Sequence, residues 1–385
     1  MPTSRQSERE PLAIYLHWPY CARICPYCDF NVYKQRTDDS LVGAIRADLS
    51  QWRDLTGPRQ VTSIHFGGGT PSLLPAGDIA QILREISDLW DVAAPVETAL
   101  EANPADADAE KWAGYAAAGI NRLSLGVQSF HDPALKQLGR DHDGAMATRA
   151  VTLAMEVFPS ISADLIFGWA GQSEAQLDRD LDVLLTSGVP HISTYQLTVE
   201  PGTAFARAEA RGLARSVDVD QSAGLYDRVR DRLIAAGFDH YEVSNFAKPH
   251  HRSQHNLAYW RGVDYVGVGP GAHGRVTVAG ERRATVAHLR PDAYTEAVAA
   301  SGSGIETTEI LSPDGWAEEY VLMGLRIDEG ISLQRYAQIA GRSLDSEEMT
   351  ALIADGYLAQ AGDRFYATAA GRMVLNAVTE RLLLG

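Results

Sequence analysis

Six short apolar runs, each ending on a glycine or a polar residue, recur through the first half of the chain. They are AIYLHW (13–18), SIHFGGG (63–69), ETALEANP (97–104), RLSLGVQSF (122–130), SADLIFG (162–168) and ISTYQL (192–197). Between them lie stretches with helical spacing. Leu41, Ile45, Leu49 and Trp52 recur in 40–54, Ile79, Ile82 and Leu83 precede Ile86 and Leu89, and Leu177, Leu181, Leu184 and Leu185 follow the fifth run. Strands that alternate with helices pair in parallel, because each right-handed crossover returns the chain in the same direction. Eight such units close a barrel. Six predict an α/β fold with a partial (β/α)6 barrel over about 10–200, open on one side. HYEVSNFA (240–247) and YVGVGPGAHG (265–274) are expected to extend or flank that sheet.

SGSG (301–304) reads as a linker. Beyond it, short helices are predicted over 313–327, 332–340 and 345–355, then a strand pair around 357–367 and a last helix over 368–383. The division expected is a barrel over 10–240, a sheet extension with HNLAYW over 241–300, and a small α+β, winged-helix-like module over 305–385. A DNA-binding role for that module conflicts with its charge, 13 acidic against 6 basic residues over 305–385. The whole chain carries a net charge of −16, which argues against nucleic acid and against general binding to anionic membranes. At 45% apolar residues the chain has material for a sizeable core. The opening MPTSRQSEREPLA lacks an apolar h-region, and no run approaches ~18 uninterrupted apolar residues. A cytoplasmic protein is expected, with transient membrane association as the alternative.

All three cysteines lie in CARICPYCDF (21–30), as Cys21-x3-Cys25-x2-Cys28 just after the first strand. An odd, clustered set is not a disulfide framework. Thiolates select zinc or iron–sulfur clusters. Structural zinc wants four ligands, usually as two separated pairs, and no second pair exists; His17 is the available fourth ligand, inside the first strand. A [4Fe–4S] cubane usually takes four cysteines, so three leave one iron open to a cofactor.

CxxxCxxC after the first strand of a partial barrel resembles the radical S-adenosylmethionine (SAM) superfamily. The resemblance implies that the open iron chelates SAM and that an electron from the cluster cleaves the sulfonium to a 5′-deoxyadenosyl radical. The GGGTP run Gly67-Gly68-Gly69-Thr70-Pro71 matches the family's turn at the SAM amino group. Glu101, Gln128, Arg140 and Asp164, in LEANP, GVQSF, GRDH and ADLIFG, closely resemble residues of the branch that includes oxygen-independent coproporphyrinogen III oxidases. There the matching residues bind SAM. Tyr15 matches a tyrosine that contacts SAM, and Tyr27 a residue beside the last cluster ligand.

Three features separate this chain from the oxidases. Those enzymes resemble CxxxCxxCxC, whereas Phe30 stands at the fourth place here. They carry a longer region before the cluster loop, whereas 20 residues precede Cys21. His255-Asn256-Leu257-Ala258-Tyr259-Trp260 matches the HNxxYW signature of the HemW type of haem chaperone. That resemblance implies a protein that binds haem, a [4Fe–4S] cluster and SAM. It would deliver haem to acceptors such as membrane respiratory enzymes, without oxidase activity. A neutral imidazole can ligate haem iron, which makes His255 the candidate ligand, with Tyr259 and Trp260 offering flat faces to a porphyrin. An electron donor is implied if SAM is cleaved, and a homodimer is a further partner expectation. The alternatives are a coproporphyrinogen III dehydrogenase, a radical SAM methyltransferase and a structural zinc protein.

Overall fold

The computed structural model describes residues 11–35, 38–344 and 346–384. The reading of residues 1–10 as free of a secretory leader lies outside the described residues. The chain runs β1 (Pro11–Trp18), α1 (Asp39–Thr56), β2 (Gln60–Gly68), α2 (Ala76–Leu89), β3 (Asp91–Ala102), α3 (Ala109–Ala118), β4 (Arg122–Gln128), α4 (Asp132–Gln137), α5 (Gly144–Val157), β5 (Ser160–Phe167), α6 (Glu174–Ser187) and β6 (His191–Gln196). Strands β1 to β6 lie side by side in chain order, all parallel. Local chemistry sets the helix ends: Asp38 accepts from the backbone N–H of Ser40 and Leu41 to start α1, and Ser173 with Gln176 forms a capping box on α6.

Alternation within the strands separates two environments. Leu12, Ile14 and Leu16 of β1, Ile64 and Phe66 of β2, and Leu123, Leu125 and Val127 of β4 pack outward against the helices in one large buried cluster. The residues between them face the concave side, and many are polar: Tyr15, His65, Glu101, Ser124, Asp164 and Ser193. Because Tyr15 of β1 and Ser193 of β6 line one chamber, the sheet curls around it.

The second half adds α7 (Ala204–Glu209), α8 (Val219–Ala235), β7 (Asp239–Glu242), β8 (Asn245–Ala247), α9 (Gln254–Trp260), β9 (Asp264–Val268), β10 (His273–Val278), β11 (Glu281–Ala287), α10 (Pro291–Ser301) and β12 (Ile305–Ile310). Among the described residues the sheet has twelve strands, in the order β12-β11-β10-β9-β1-β2-β3-β4-β5-β6-β8-β7. The two expected extended runs therefore extend the sheet at opposite ends: β8 pairs antiparallel with β6, and β9 pairs parallel with β1. Asp264 ties the β9 side together. It accepts from Arg59 Nη2 at 2.9 Å, Thr277 N at 2.6 Å, Thr277 Oγ1 at 3.0 Å and Arg282 Nη1.

SGSG is not a linker. Ser301 ends α10, Gly302 caps it at φ 79°, and β12 continues the large sheet to Ile310. Gly304 is glycine for space, since a Cβ there would lie 2.0 Å from the Tyr294 ring. Its N–H donates to Asp48 Oδ1 at 3.0 Å, and the Tyr294 hydroxyl donates to Asp48 Oδ2 at 2.8 Å. Burial pushes Asp48 up to about 6, against those two hydrogen bonds. The folded state thus binds this proton more tightly than the unfolded chain, so Asp48 removes stability as pH rises from ~4 through about 6. Asp48→Asn is expected to be more stable than the parent at pH 7 by roughly 2 kcal/mol, the difference closing near pH 4. Urea unfolding at the two pH values checks this; equal parent–variant differences at both would disprove it.

The C-terminal module contains α11 (Pro313–Gly324), β13 (Ile331–Ser332), α12 (Leu333–Ala340), α13 (Ser346–Ala354), β14 (Leu358–Ala361), β15 (Arg364–Ala367), α14 (Ala369–Met373) and α15 (Leu375–Leu384). The expected strand pair gains β13 as a third, antiparallel strand, and the expected last helix breaks at Val374. Tyr320, Val321, Leu325, Tyr336, Leu352 and Phe365 form a separate buried cluster. The module is fastened by Arg326, which donates to fully buried Glu242 at 2.9 and 2.7 Å, and by ion pairs Arg252–Asp328 and Arg261–Glu329.

Candidate functional site

At the carboxyl ends of the parallel strands, β1 to β6 surround a cavity of about 370 Å³. This is the end at which parallel barrels place their chemistry, because the strand ends and the loops after them converge there. Every residue expected on that rim lines it: Cys21, Cys25, Cys28 and Tyr27 from the loop after β1; Gly68, Gly69 and Thr70 after β2; and Glu101, Gln128, Arg140 and Asp164 from the following units. Tyr15 and His255 do not. They line a second chamber of about 210 Å³ on the concave face, which shares Glu101, Ser124, Asp164 and Tyr195 with the first.

The thiols are held from both sides. Thr70 Oγ1 donates to Cys21 Sγ at 3.4 Å, and Arg140 Nη1 donates to Cys25 Sγ at 3.3 Å. Cys28 N–H donates to the Cys25 carbonyl at 3.2 Å, closing the turn. Burial pushes the Cys21 thiol up and the Cys28 thiol to about 11, so ligation there releases protons. Among the described residues, no three His, Cys, Asp or Glu side chains close on one point that a single metal ion would occupy. Three thiols on one loop beside a cavity suit a cluster, which takes one sulfur per iron. His17, the fourth ligand considered for zinc, has both nitrogens engaged. Nε2 donates to the Asn31 carbonyl at 3.0 Å, and Nδ1 accepts from the Tyr15 hydroxyl at 2.9 Å.

The glycine turn is dictated by crowding. Gly68 sits at φ 107°, where a Cβ would lie 2.5 Å from the His17 ring, and a Cβ on Gly69 would meet the carbonyls of Tyr20 and Trp18. Its backbone instead lies open along the cavity, with Gly68 N–H donating to Glu101 Oε2 at 3.1 Å. Gln128 ends β4 at φ 65°, unusual for a residue with a Cβ, and its buried Oε1 has no protein partner. Gln128 thus brings a strained backbone and a buried, unpaired acceptor to the cavity wall. Asp164 accepts from Ser124 Oγ at 3.2 Å, and burial pushes it up to about 6. These residues fit SAM, which carries donors for Gln128 and the carboxylates.

Tyr15 and His255 lie apart from the thiol cavity. Tyr15 packs under the glycine turn, where a Cβ on Gly67 would lie 2.9 Å from its Cε2, and lines the second chamber rather than the thiol cavity. His255 is 4% exposed and stacks on His65, with ring centroids 4.1 Å apart and planes at 10°. Tyr259 meets the rings of His255 and Tyr265 edge-on, and Arg326 covers Trp260 at 4.7 Å. The chamber that His255 and Tyr259 border is about 210 Å³, below the roughly 300 Å³ at which sites for larger organic ligands begin. Sequence reasoning missed His65, Asn103, Ser124 and Tyr195. Asn103 Oδ1 accepts from Arg140 Nη2 at 3.2 Å, and Ser124 and Tyr195 line both cavities. Their signal was polar residues two apart in otherwise apolar strands.

This arrangement, a curled parallel sheet with three thiols after its first strand and a glycine turn after its second, defines the radical SAM class. The Radical SAM superfamily model matches residues 15–184, and the HemN C-terminal domain model matches 311–374. "Heme chaperone HemW" of Mycobacterium tuberculosis (strain H37Rv) is 38% identical over 380 residues, covering 97% of this chain and 95% of that protein. HemW of Escherichia coli K12 is 34% identical, covering 97% and 98%. The mitochondrial "Radical S-adenosyl methionine domain-containing protein 1" of Bos taurus is 38% identical, covering 88% and 78%. The chain belongs to the HemW family. The solved structure of E. coli coproporphyrinogen III oxidase (HemN) shares its fold, with a TM-score of 0.80 at 20% identity, covering 98% of this chain and 91% of that one.

Proposed function

We propose that this protein is a haem chaperone. It holds a [4Fe–4S] cluster on Cys21, Cys25 and Cys28, binds SAM beside it, and binds haem and delivers it to acceptors such as membrane respiratory enzymes. The observation that carries the cluster and SAM assignment is the single cavity in which three thiols meet the glycine turn, Glu101, Gln128, Arg140 and Asp164. Haem binding and delivery are supported by the names of relatives that align over nearly their whole length.

The cluster with SAM supplies reductive cleavage of the sulfonium when both are bound. The protein's own residues supply placement. Gly68 and Gly69 bring backbone close to the ligand; Glu101, fixed by His65 and Gly68 N–H, presents acceptor oxygens; and Gln128 offers its free Oε1. Arg140 keeps positive charge beside Cys25. A cytoplasmic site of action is part of this reading. Among the described residues, no helix is long and apolar enough to cross a membrane.

Coproporphyrinogen oxidation is the second reading, favoured by the fold shared with HemN over 98% of the chain. Phe30 weighs against it, since it is 61% exposed on the cavity rim where the oxidases' motif has its further cysteine. Anaerobic reconstitution followed by two assays on one sample separates them. Haem binding and transfer to an apo-acceptor, with no decarboxylation of coproporphyrinogen in the presence of SAM and reductant, is the expected result. Decarboxylation without haem transfer would reverse the assignment.

A further inference from the structure

We infer that His255 and His65 together position Glu101 for SAM, so the HNLAYW segment supports the SAM pocket from behind. The inference rests on the reading of the thiol cavity as a SAM site. Glu101 is the link between the two cavities: it lines the thiol cavity on one side and the polar chamber on the other. Each of its oxygens has one protein donor. His65 Nε2 donates to Oε1 at 3.0 Å, and Gly68 N–H donates to Oε2 at 3.1 Å. A carboxylate held at both oxygens has little freedom to swing, and its remaining lone pairs face the ligand side.

His65 in turn has no hydrogen bond to fix its far edge, since Nδ1 is buried without a partner. What holds the ring is packing. His255 lies parallel to it at 4.1 Å, and Tyr15 stacks nearby at 6.1 Å from His65 and 5.9 Å from His255. His255 is itself anchored through its backbone. Glu97 Oε1 accepts from Gln254 N and His255 N at 2.9 and 3.0 Å, and Ser253 caps α9 through Asn256 N at 3.2 Å. The far end of α9 is pinned beneath the C-terminal module, where Arg326 covers Trp260 and Arg261 pairs with Glu329. Thus α9 is a fixed post, His255 its contact surface, His65 the strut and Glu101 the part presented to SAM. Burial, with the His65 ring beside it, holds His255 neutral, so the two imidazoles stack without charge repulsion.

Anaerobically reconstituted full-length protein tests this, with SAM affinity by equilibrium dialysis, iron content and the haem Soret band measured on each variant. His65→Leu removes the donor to Glu101 and is expected to weaken SAM binding roughly 10- to 100-fold, the range for one hydrogen bond to a charged group. His65→Gln restores a donor and is expected to recover most of that loss, a rescue that a role in packing alone would not give. His255→Ala removes the ring packed on His65 and is expected to weaken SAM binding about 3- to 10-fold, whereas His255→Phe, which keeps a flat ring there without an iron ligand, is expected to stay near the parent, with the Soret band unchanged in both. Unaltered SAM affinity in His65→Leu overturns the inference while leaving the SAM reading intact. Loss of the Soret band in His255→Ala with unaltered SAM affinity overturns it in favour of haem ligation. A parent protein that takes up iron yet binds no SAM removes the underlying reading, and the inference with it.

Discussion

Cys25→Ala is expected to take the reconstituted protein from about four iron atoms per chain toward none and to abolish its brown iron–sulfur absorbance. Three protein thiolates are already one short of the usual set, so a second missing ligand leaves two irons exposed to solvent. Cys25 is the informative choice, because its Sγ alone among the three accepts from a guanidinium, at 3.3 Å from Arg140. An iron–sulfur cluster takes thiolate sulfur as its ligand. It follows that Cys25→Ser should fail almost as completely, since a serine hydroxyl fills the space but resists deprotonation. Unfolding is not the expected cause, because the thiol is only half-buried and contributes little to the core. Circular dichroism on the same sample checks this. Full iron content and an unchanged spectrum in Cys25→Ala would show that the loop does not hold a cluster in the way described.

The largest loss of stability from one substitution is expected at Asp264→Ala. Asp264 lies where the β9–β10–β11 extension meets the parallel strands, and it takes four hydrogen bonds, two of them from the buried guanidiniums of Arg59 and Arg282. Removing the carboxylate leaves two buried cations facing each other without it, a situation that costs about 3–5 kcal/mol. The whole set is worth much less than that, because desolvation of three charges offsets most of their attraction. Replacing all three, as Arg59→Met, Asp264→Leu and Arg282→Leu, is therefore expected to recover most of the loss. Urea unfolding of the single and triple variants decides it. A cost under about 1 kcal/mol for Asp264→Ala would mean that water reaches the arginines and solvates them.

Much of the site was legible because it depends on short, local patterns. The cysteine spacing, the GGGTP turn and the strand-end residues Glu101, Gln128 and Asp164 each sit on one strand or the loop after it. A parallel sheet brings such positions to one rim without further information. His255 shows the opposite case. A histidine beside two aromatic residues invites a cofactor reading, yet α9 turns its imidazole inward onto His65, 190 positions earlier in the chain. No local pattern records that pairing. SGSG misleads for a related reason: its glycines answer a helix end and the Tyr294 ring, and a sequence shows neither the ring nor the distance.

By itself the sequence determined the α/β class, because hydrophobic periodicity is a property of neighbours along the chain. It likewise placed the three thiols together, because Cys21, Cys25 and Cys28 fall within eight residues of one loop. Tertiary structure alone decided which polar side chains face inward to make the second chamber, how Glu101 is held, and that β12 belongs to the large sheet. Each of those depends on contacts between residues far apart in sequence, and only the folded chain brings them within hydrogen-bonding or packing range.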